Sequence, residues 1–175
     1  MKHPLQKFAV ECIEASKTDT DFDMPKFLPS RRFDFELEMG AIVGKRSNGP
    51  VSVDQADDMI FGYVILNDWS ARDIQAWEYV PLGPFQAKAT ATSISPWIVT
   101  KDALEPFRCS TPKREYDLLP YLKDTKPMLY DIELSTYIQT EASNEILLST
   151  TNFREMYYSS AQQIAHHTSS GCPLN

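Results

Sequence analysis

The sequence predicts an α+β fold with more strands than helices. Several segments alternate apolar and polar residues at the two-residue period of a half-buried strand. Twelve prolines against six glycines favour short strands and turns over long helices. Only residues 152–171 show the three- and four-residue spacing of a longer helix. The strands therefore dominate the prediction.

Residues 1–24 differ in character from the rest of the chain. A short amphipathic segment at 8–13 leads into "EASKTDTDFDMP", a polar and acidic stretch. Such a stretch has few side chains to bury in a core. We expect residues 1–24 to form a poorly ordered arm and residues 25–175 to form the folded domain.

The first predicted strand lies in "RRFDFELEMGAIVG". The segment ends at Gly44, and "KRSNGP" then supplies turn residues. The two faces would differ, with Phe33, Phe35, Leu37 and Met39 on one and Asp34, Glu36 and Glu38 on the other. The sequence therefore predicts one long strand with an acidic face.

Two capping patterns and an apolar run follow. Ser52 with Gln55, and Ser70 with Asp73, have the spacing of helix N-terminal caps, which predicts two short helices. Between them, "IFGYVILN" at 60–67 is almost continuously apolar. Such a run is typical of a strand covered on both faces.

The second half of the chain mixes loops, strands and one helix. "VPLGPFQAKATATSISP" is predicted to be a loop, "WIVT" a short strand, 101–130 a proline-rich connection and 131–139 an alternating strand. The helix at 152–171 would be capped at Asn152 and end at Gly171. His166 and His167 lie on it, where a structural role is expected. The three tryptophans, Trp69, Trp77 and Trp97, are assigned to packing.

Charge and cysteine content exclude several classes of function. The formal net charge is -7, with 24 acidic against 17 basic residues, which argues against a nucleic-acid or anionic-membrane partner. The three cysteines are far apart and indicate reduced thiols. We find no signal peptide or membrane span, so a soluble cytoplasmic protein is expected.

The acidic face of the first strand raises the question of a metal site. Glu36 and Glu38 would point the same way, ~6.6 Å apart along the strand. A solvated strand face is one explanation, since charged side chains are mostly exposed. A divalent cation shared with Asp68, at the end of the 60–67 strand, is the other. Carboxylates favour Mg²⁺ or Ca²⁺ over zinc, and Asp34 would then be a surface charge.

Three longer motifs, taken in their order along the chain, resemble those of one known protein family. "FDFELEMG" is followed by "NDWSARDIQAWEYVPLGPFQAKATATSISPW" and by "HHTSSGC". In this order they resemble the fumarylacetoacetase family, whose members cut a carbon–carbon bond in tyrosine breakdown. The resemblance runs from about Met24 to the C-terminus and implies a roll of mixed β-sheets of the family's C-terminal domain type, incomplete here, with a few peripheral helices.

The resemblance also implies roles for particular residues. Glu36, Glu38 and Asp68 would bind the metal, with Lys88 and Thr92 at a second metal-associated position. Lys88, Gln75 and Arg72 would act in catalysis, and Gln75 and Tyr79 would contact substrate. Without the resemblance, Lys88 could be an ordinary loop charge and Tyr79 a packing aromatic.

The implied reaction is metal-dependent hydrolysis of 4-fumarylacetoacetate, a small diketo acid, to fumarate and acetoacetate, the last step of tyrosine and phenylalanine catabolism. The family's histidine base lies upstream of the Glu-x-Glu strand, and only 35 residues precede Glu36 here. His3 lies in a different context, and the family's glycine-rich C-terminal strands and N-terminal domain are missing. We therefore expect weak or no activity from this chain alone.

Two alternatives remain open. One is a non-catalytic, metal-binding remnant of the family. The other is an acylpyruvase-like hydrolase or decarboxylase of the same superfamily. Family members dimerise, so a homodimer is a candidate assembly.

Overall fold

The structure is a computed structural model that describes residues 11–14 and 26–174. It divides into two units, unit 1 with residues 1–38 and 65–95, and unit 2 with residues 39–64 and 96–175. The strands are β1 Glu11–Glu14, β2 Lys26–Pro29, β3 Phe33–Asp34, β4 Leu37–Val43, β5 Ile60–Asp68, β6 Ser70–Ala71, β7 Thr92–Ile94, β8 Val99–Thr100, β9 Arg108–Cys109, β10 Leu129–Tyr130, β11 Glu133–Ile138 and β12 Ile146–Asn152. The helices are α1 Val53–Met59, α2 Arg72–Leu82, α3 Lys101–Leu104 and α4 Ser160–Thr168. Within the described ranges, no helix is both long and apolar enough to cross a membrane.

Strands predominate, which confirms the predicted α+β class. The arm predicted for 1–24 falls mostly outside the described residues. Of that segment only 11–14 are described, and they form β1, which pairs antiparallel with β2.

The prediction of one long strand from the alternating pattern is wrong, because the segment forms two separate strands, β3 and β4. The Asp34 carboxylate accepts the N–H of Phe35, and the N–H of Glu36 donates to the side-chain oxygen of Asn67. The backbone N–H groups of residues 35 and 36 thus bond to side chains and not to the backbone of a neighbouring strand. β3 pairs instead with β6, with Asp34 opposite Ser70.

The cap predicted at Ser70 is also wrong. Helix α2 begins after Ala71, which makes no side-chain cap. Ser70 lies in β6, fully buried, and its hydroxyl donates to the Asp68 carbonyl. Asp73 accepts from the Ser30 hydroxyl at 2.6 Å. Pairing with β3 thus takes Ser70 away from the helix start.

In unit 2, the first half of β5 pairs antiparallel with β8. Tyr63 of β5 packs edge-on against Tyr130 and Phe153, with centroid distances of 5.4 and 6.1 Å. Helices α1 and α4 pack against each other. The capping box predicted at Ser52 and Gln55 is confirmed.

The long helix predicted over 152–171 is shorter in the structure. Asn152 caps only a 3-10 turn at Phe153–Glu155. A second capping box, formed by Ser159 and Gln162, starts α4. The segment before the turn is strand β12, which the sequence analysis missed.

Several burial predictions are corrected. β5 is not covered on both faces, since Phe61 and Ile65 are exposed. Trp77 and Trp97 are 49% and 79% exposed, so neither lies in a buried core, whereas Trp69 stacks on Phe33. His166 and His167 are both exposed. The structural role expected for the two histidines is not excluded by this exposure, since the His166 ring stacks on Tyr121 and its Nδ1 lies 2.9 Å from the Tyr121 hydroxyl.

Gly62 allows β5 and β8 to approach closely. A Cβ at this position would clash with the Val99 carbonyl oxygen and lie 3.0 Å from the Cα of Thr100. We expect Gly62→Ala to lower the free energy of unfolding by about 1–3 kcal/mol, because the obstacle is backbone. Urea unfolding measures the effect. The control, Ser149→Ala at an exposed strand position, should change the free energy of unfolding by less than about 0.5 kcal/mol. Equal effects of the two substitutions would refute the close approach of β5 and β8.

Candidate metal centre

Three carboxylates from two parts of the chain meet in unit 1. Glu36 follows β3, Glu38 lies in β4, and Asp68 ends β5. One ligand oxygen from each lies within 4.8 Å of the others. The Asp68 N–H donates to the Glu36 carbonyl at 3.2 Å, which holds the two chain segments together. The structure thus brings together the three residues that the sequence analysis singled out for a metal.

Two basic side chains reach into this cluster. The Lys88 ammonium lies 2.7 Å from a carboxylate oxygen of Glu36 and 3.0 Å from one of Asp68. Its third partner is the Ser70 hydroxyl at 2.7 Å. The Arg72 guanidinium contacts the other oxygen of Glu36 at 2.6 Å. Glu36 is therefore held by two cations at once.

Asp34 is more than a surface charge. Its carboxylate lies 2.9 Å from the Nε of Arg72, so it holds the guanidinium by a different nitrogen from the one that contacts Glu36. The hydrogen bond from Arg72, followed by that from the Phe35 N–H, holds the pKa of Asp34 below its ordinary value. Arg72 also donates to the Gln75 side-chain oxygen at 2.9 Å.

The two glutamates of the cluster differ in their electrostatics. Burial works to raise the pKa of Glu36, but hydrogen bonds from Lys88 and Arg72 outweigh it and lower the pKa. The pKa of Glu38 is raised, first by burial and then by the negative charges of Asp68 and Glu36. A divalent cation would relieve this repulsion. All three side chains offer carboxylate oxygens, which are the ligands that Mg²⁺ and Ca²⁺ prefer. The donor set therefore fits a hard cation.

Lys88 and Thr92 were predicted at a second metal-associated position. Burial opposes the charge of Lys88, yet its bonds to Glu36 and Asp68 raise its pKa. A protonated ammonium has no lone pair for a metal, so Lys88 acts in this structure as a cation beside the carboxylates. Thr92 is exposed and lies opposite Asp68 in the pairing of β5 with β7. A metal-associated role for either residue stays a prediction.

The predicted substrate residues line a cavity of about 360 Å³, formed by Arg72, Gln75, Ala76, Tyr79 and Pro84. All come from α2 or the turn that follows it. Because Arg72 also contacts Glu36, the cavity borders the carboxylate cluster. The cavity thus presents Arg72, Gln75 and Tyr79 together beside the carboxylates.

Sequence reasoning missed three residues around this site. Asp34 was predicted to be a surface charge, although the period-two pattern placed it beside Glu36 on the acidic face. Ser70 lies within the "NDWSARD" motif but was assigned to a helix cap. Glu78, whose carboxylate accepts three backbone N–H groups of the following turn, had no signal in residue spacing.

The metal assignment predicts a loss of affinity on removing one ligand. Asp68→Asn should weaken Mg²⁺ and Ca²⁺ binding by at least about tenfold, because even partners of metal ligands contribute that much. Isothermal titration calorimetry measures it, with Asp117→Asn, at an exposed position of unit 2, as the control. Unchanged affinity in Asp68→Asn would remove Asp68 from the site.

Known proteins resemble this chain over most of its length. The sequence profile described as "Fumarylacetoacetate (FAA) hydrolase C-terminal" matches residues 12–175. Fumarylacetoacetase of Oryza sativa subsp. japonica is 50% identical over 153 residues, which cover 86% of this chain and 36% of the relative. For fumarylacetoacetase of Dictyostelium discoideum the identity is 48% over 164 residues, with 91% and 38% covered. The chain thus spans little more than a third of the length of these relatives.

Solved structures share the fold. The structure of Cg1458 with inhibitor has a TM-score of 0.60 at 20% identity and covers 83% of this chain and 44% of its own. A putative HpcE protein from Mycobacterium smegmatis has a TM-score of 0.56 at 21% identity, with 84% and 43% covered. At these identities the likeness extends to the fold alone.

Proposed function

Since the chain belongs to the fumarylacetoacetate hydrolase family, we propose that its site serves the metal-dependent hydrolysis of 4-fumarylacetoacetate to fumarate and acetoacetate, the last step of tyrosine and phenylalanine catabolism. One observation carries the proposal. Three carboxylates within 4.8 Å of one another lie beside Lys88 and Arg72. The relatives named fumarylacetoacetase support this choice of substrate over an acylpyruvate.

The reaction develops negative charge on oxygen, which the positive charges of Lys88 and Arg72 would stabilise. Water adds to one carbonyl of the diketone, the adjacent carbon–carbon bond breaks, and its electron pair becomes the enolate of acetoacetate, which then takes a proton. Bound Mg²⁺ or Ca²⁺ would supply Lewis-acid stabilisation of negative oxygen. Lys88 and Arg72 contribute positive charge beside the enolate oxygens. They would act from positions that the fold already fixes.

Gln75 would orient the substrate. Its side-chain oxygen accepts from Arg72, which leaves the amide nitrogen as the end that donates. Tyr79 stands on the same helix and lines the same cavity. The two side chains can therefore hold a carboxylate or carbonyl oxygen of the diketo acid while Lys88 faces the reacting centre.

A general base is still needed for the water. Histidine suits this role because its pKa lies near 7. Unit 1 contains a single histidine in its sequence, His3, which lies outside the described residues. We therefore expect the 175 residues by themselves to hydrolyse weakly or not at all.

The test compares two samples, the 175-residue chain and the complete product of its gene. Each is incubated with fumarylacetoacetate and either Mg²⁺ or Ca²⁺, and the loss of diketone absorbance is followed, with and without chelator. Chelator-sensitive turnover by the complete product supports the proposal. Metal binding without turnover would favour the non-catalytic remnant, and faster turnover of acylpyruvates would favour the acylpyruvase-like alternative.

A further inference from the structure

The turn that carries Lys88 is held by a single carboxylate. Glu78, in α2, accepts the backbone N–H groups of Phe85 at 2.6 Å, Gln86 at 3.1 Å and Ala87 at 2.8 Å. Burial works to raise the pKa of Glu78, but these three bonds lower it. The carboxylate is thus charged and bound to the three residues immediately before Lys88.

A second contact fixes the same turn. Ala87 is fully buried and forms an apolar cluster with Ala71 and Ile74. The Lys88 N–H donates to the Phe85 carbonyl, so Lys88 follows the backbone that Glu78 holds. The turn therefore has a polar anchor at Glu78 and an apolar anchor at Ala87.

The side chain of Lys88 has little freedom to compensate for a shift. Its ammonium meets three acceptors, on Glu36, Asp68 and Ser70, at 2.7, 3.0 and 2.7 Å. Charge-assisted bonds of this kind are short and sensitive to direction. A backbone displacement of about 1 Å would disrupt such a geometry.

We infer that Glu78 is a positioning residue for Lys88, acting through the backbone of residues 85–87. Its kinetic consequence rests on the proposed function, because it requires Lys88 to take part in the reaction. Glu78→Gln isolates the effect: the amide keeps the size of the side chain but offers one acceptor oxygen, and its NH₂ group cannot accept an N–H.

The position of Lys88 can be tested without any activity. The protein is treated with limiting acetic anhydride, and acetylation of each lysine is followed by mass spectrometry. In Glu78→Gln, Lys88 should react about tenfold faster. The turn loses its hydrogen bonds to the charged Glu78 carboxylate, so the Lys88 ammonium is held less firmly against its own charged partners. Lys101, which is similarly shielded in unit 2 with 17% of its side chain exposed, should react at its original rate.

The control is Glu141→Gln, at an exposed position of unit 2, which should leave both rates unchanged. An unchanged rate at Lys88 in Glu78→Gln would overturn the inference. An equal rise at Lys88 and Lys101 would indicate general loosening of the protein and would overturn it as well.

Kinetics of the complete gene product supply the second readout. Glu78→Gln should lower kcat with little change in KM, and adding it to Lys88→Met should cause no further loss, since both act through one group. Independent, multiplying losses would contradict the positioning role. If Lys88→Met alone left kcat intact, the proposed function would fail, while the labelling result would still decide whether Glu78 positions Lys88.

Discussion

Asp57→Asn is expected to lower the free energy of unfolding by about 3–5 kcal/mol, the usual effect of breaking a buried ion pair. The Asp57 side chain, in α1 of unit 2, is 4% exposed. Three cations surround it: Lys126 at 3.0 Å, Arg108 at 3.4 Å and Lys101 at 3.6 Å. Asparagine has nearly the same shape, so the loss would come from three positive charges left without their common partner.

Urea unfolding of the variant and of the parent measures the difference. Asp58→Asn is a matched control, because it is the next residue in the same helix and is exposed. Its effect should stay below about 1 kcal/mol, as for exposed charges in general. Equal losses in the two variants would show that burial of the Asp57 carboxylate is unimportant.

Asp57 and its three cationic partners make the free energy of unfolding depend on pH. Burial works to raise the pKa of Asp57, but the hydrogen bond from Lys126 and the charges of Arg108 and Lys101 outweigh it and lower the pKa. A lowered carboxyl pKa contributes stability that is complete above the unfolded value of about 3.9 and is lost as pH falls through the folded value. The difference between parent and Asp57→Asn should therefore be constant near neutrality and shrink below about pH 4. A difference that grew on acidification would have the wrong sign.

Sequence reasoning found the carboxylate cluster because its signals are local. Glu36 and Glu38 stand two residues apart, and Asp68 directly follows an apolar run, so ordinary strand geometry places them at strand ends. The capping box at Ser52 succeeded for the same reason. Each of these signals lies within one short segment, although the cluster itself joins two segments, with Glu38 and Asp68 30 positions apart.

Features that depend on distant residues were missed or misjudged. The break at residues 35–36 involves the side chain of Asn67, 31 positions away from Glu36. The partners of Asp57 lie 44 to 69 positions further along, and no periodicity marks them. Ser70 had good capping chemistry, but pairing of β6 with β3 took precedence over it. In each case a tertiary contact prevailed over a local preference.

Lys88→Met should lower kcat of the complete gene product by about 100- to 1000-fold, the usual effect of removing one preorganised group that stabilises a developing oxyanion. Lys88 is the ammonium beside both Glu36 and Asp68, and methionine keeps much of its length without the charge. KM should change far less, because the lost interaction strengthens as negative charge develops in the transition state. Steady-state kinetics with fumarylacetoacetate measure both constants, and Lys113→Met, at an exposed position, is the control.

Metal affinity decides between two explanations of such a loss. If Lys88 served to hold the metal, Lys88→Met would weaken Mg²⁺ and Ca²⁺ binding together with turnover. If Lys88 stabilises charge on the substrate, removing a positive charge 2.7 Å from Glu36 and 3.0 Å from Asp68 leaves a more negative cluster, so divalent affinity should stay the same or increase. We expect the second result by calorimetry, and a fall in affinity in parallel with kcat would assign Lys88 to the metal instead.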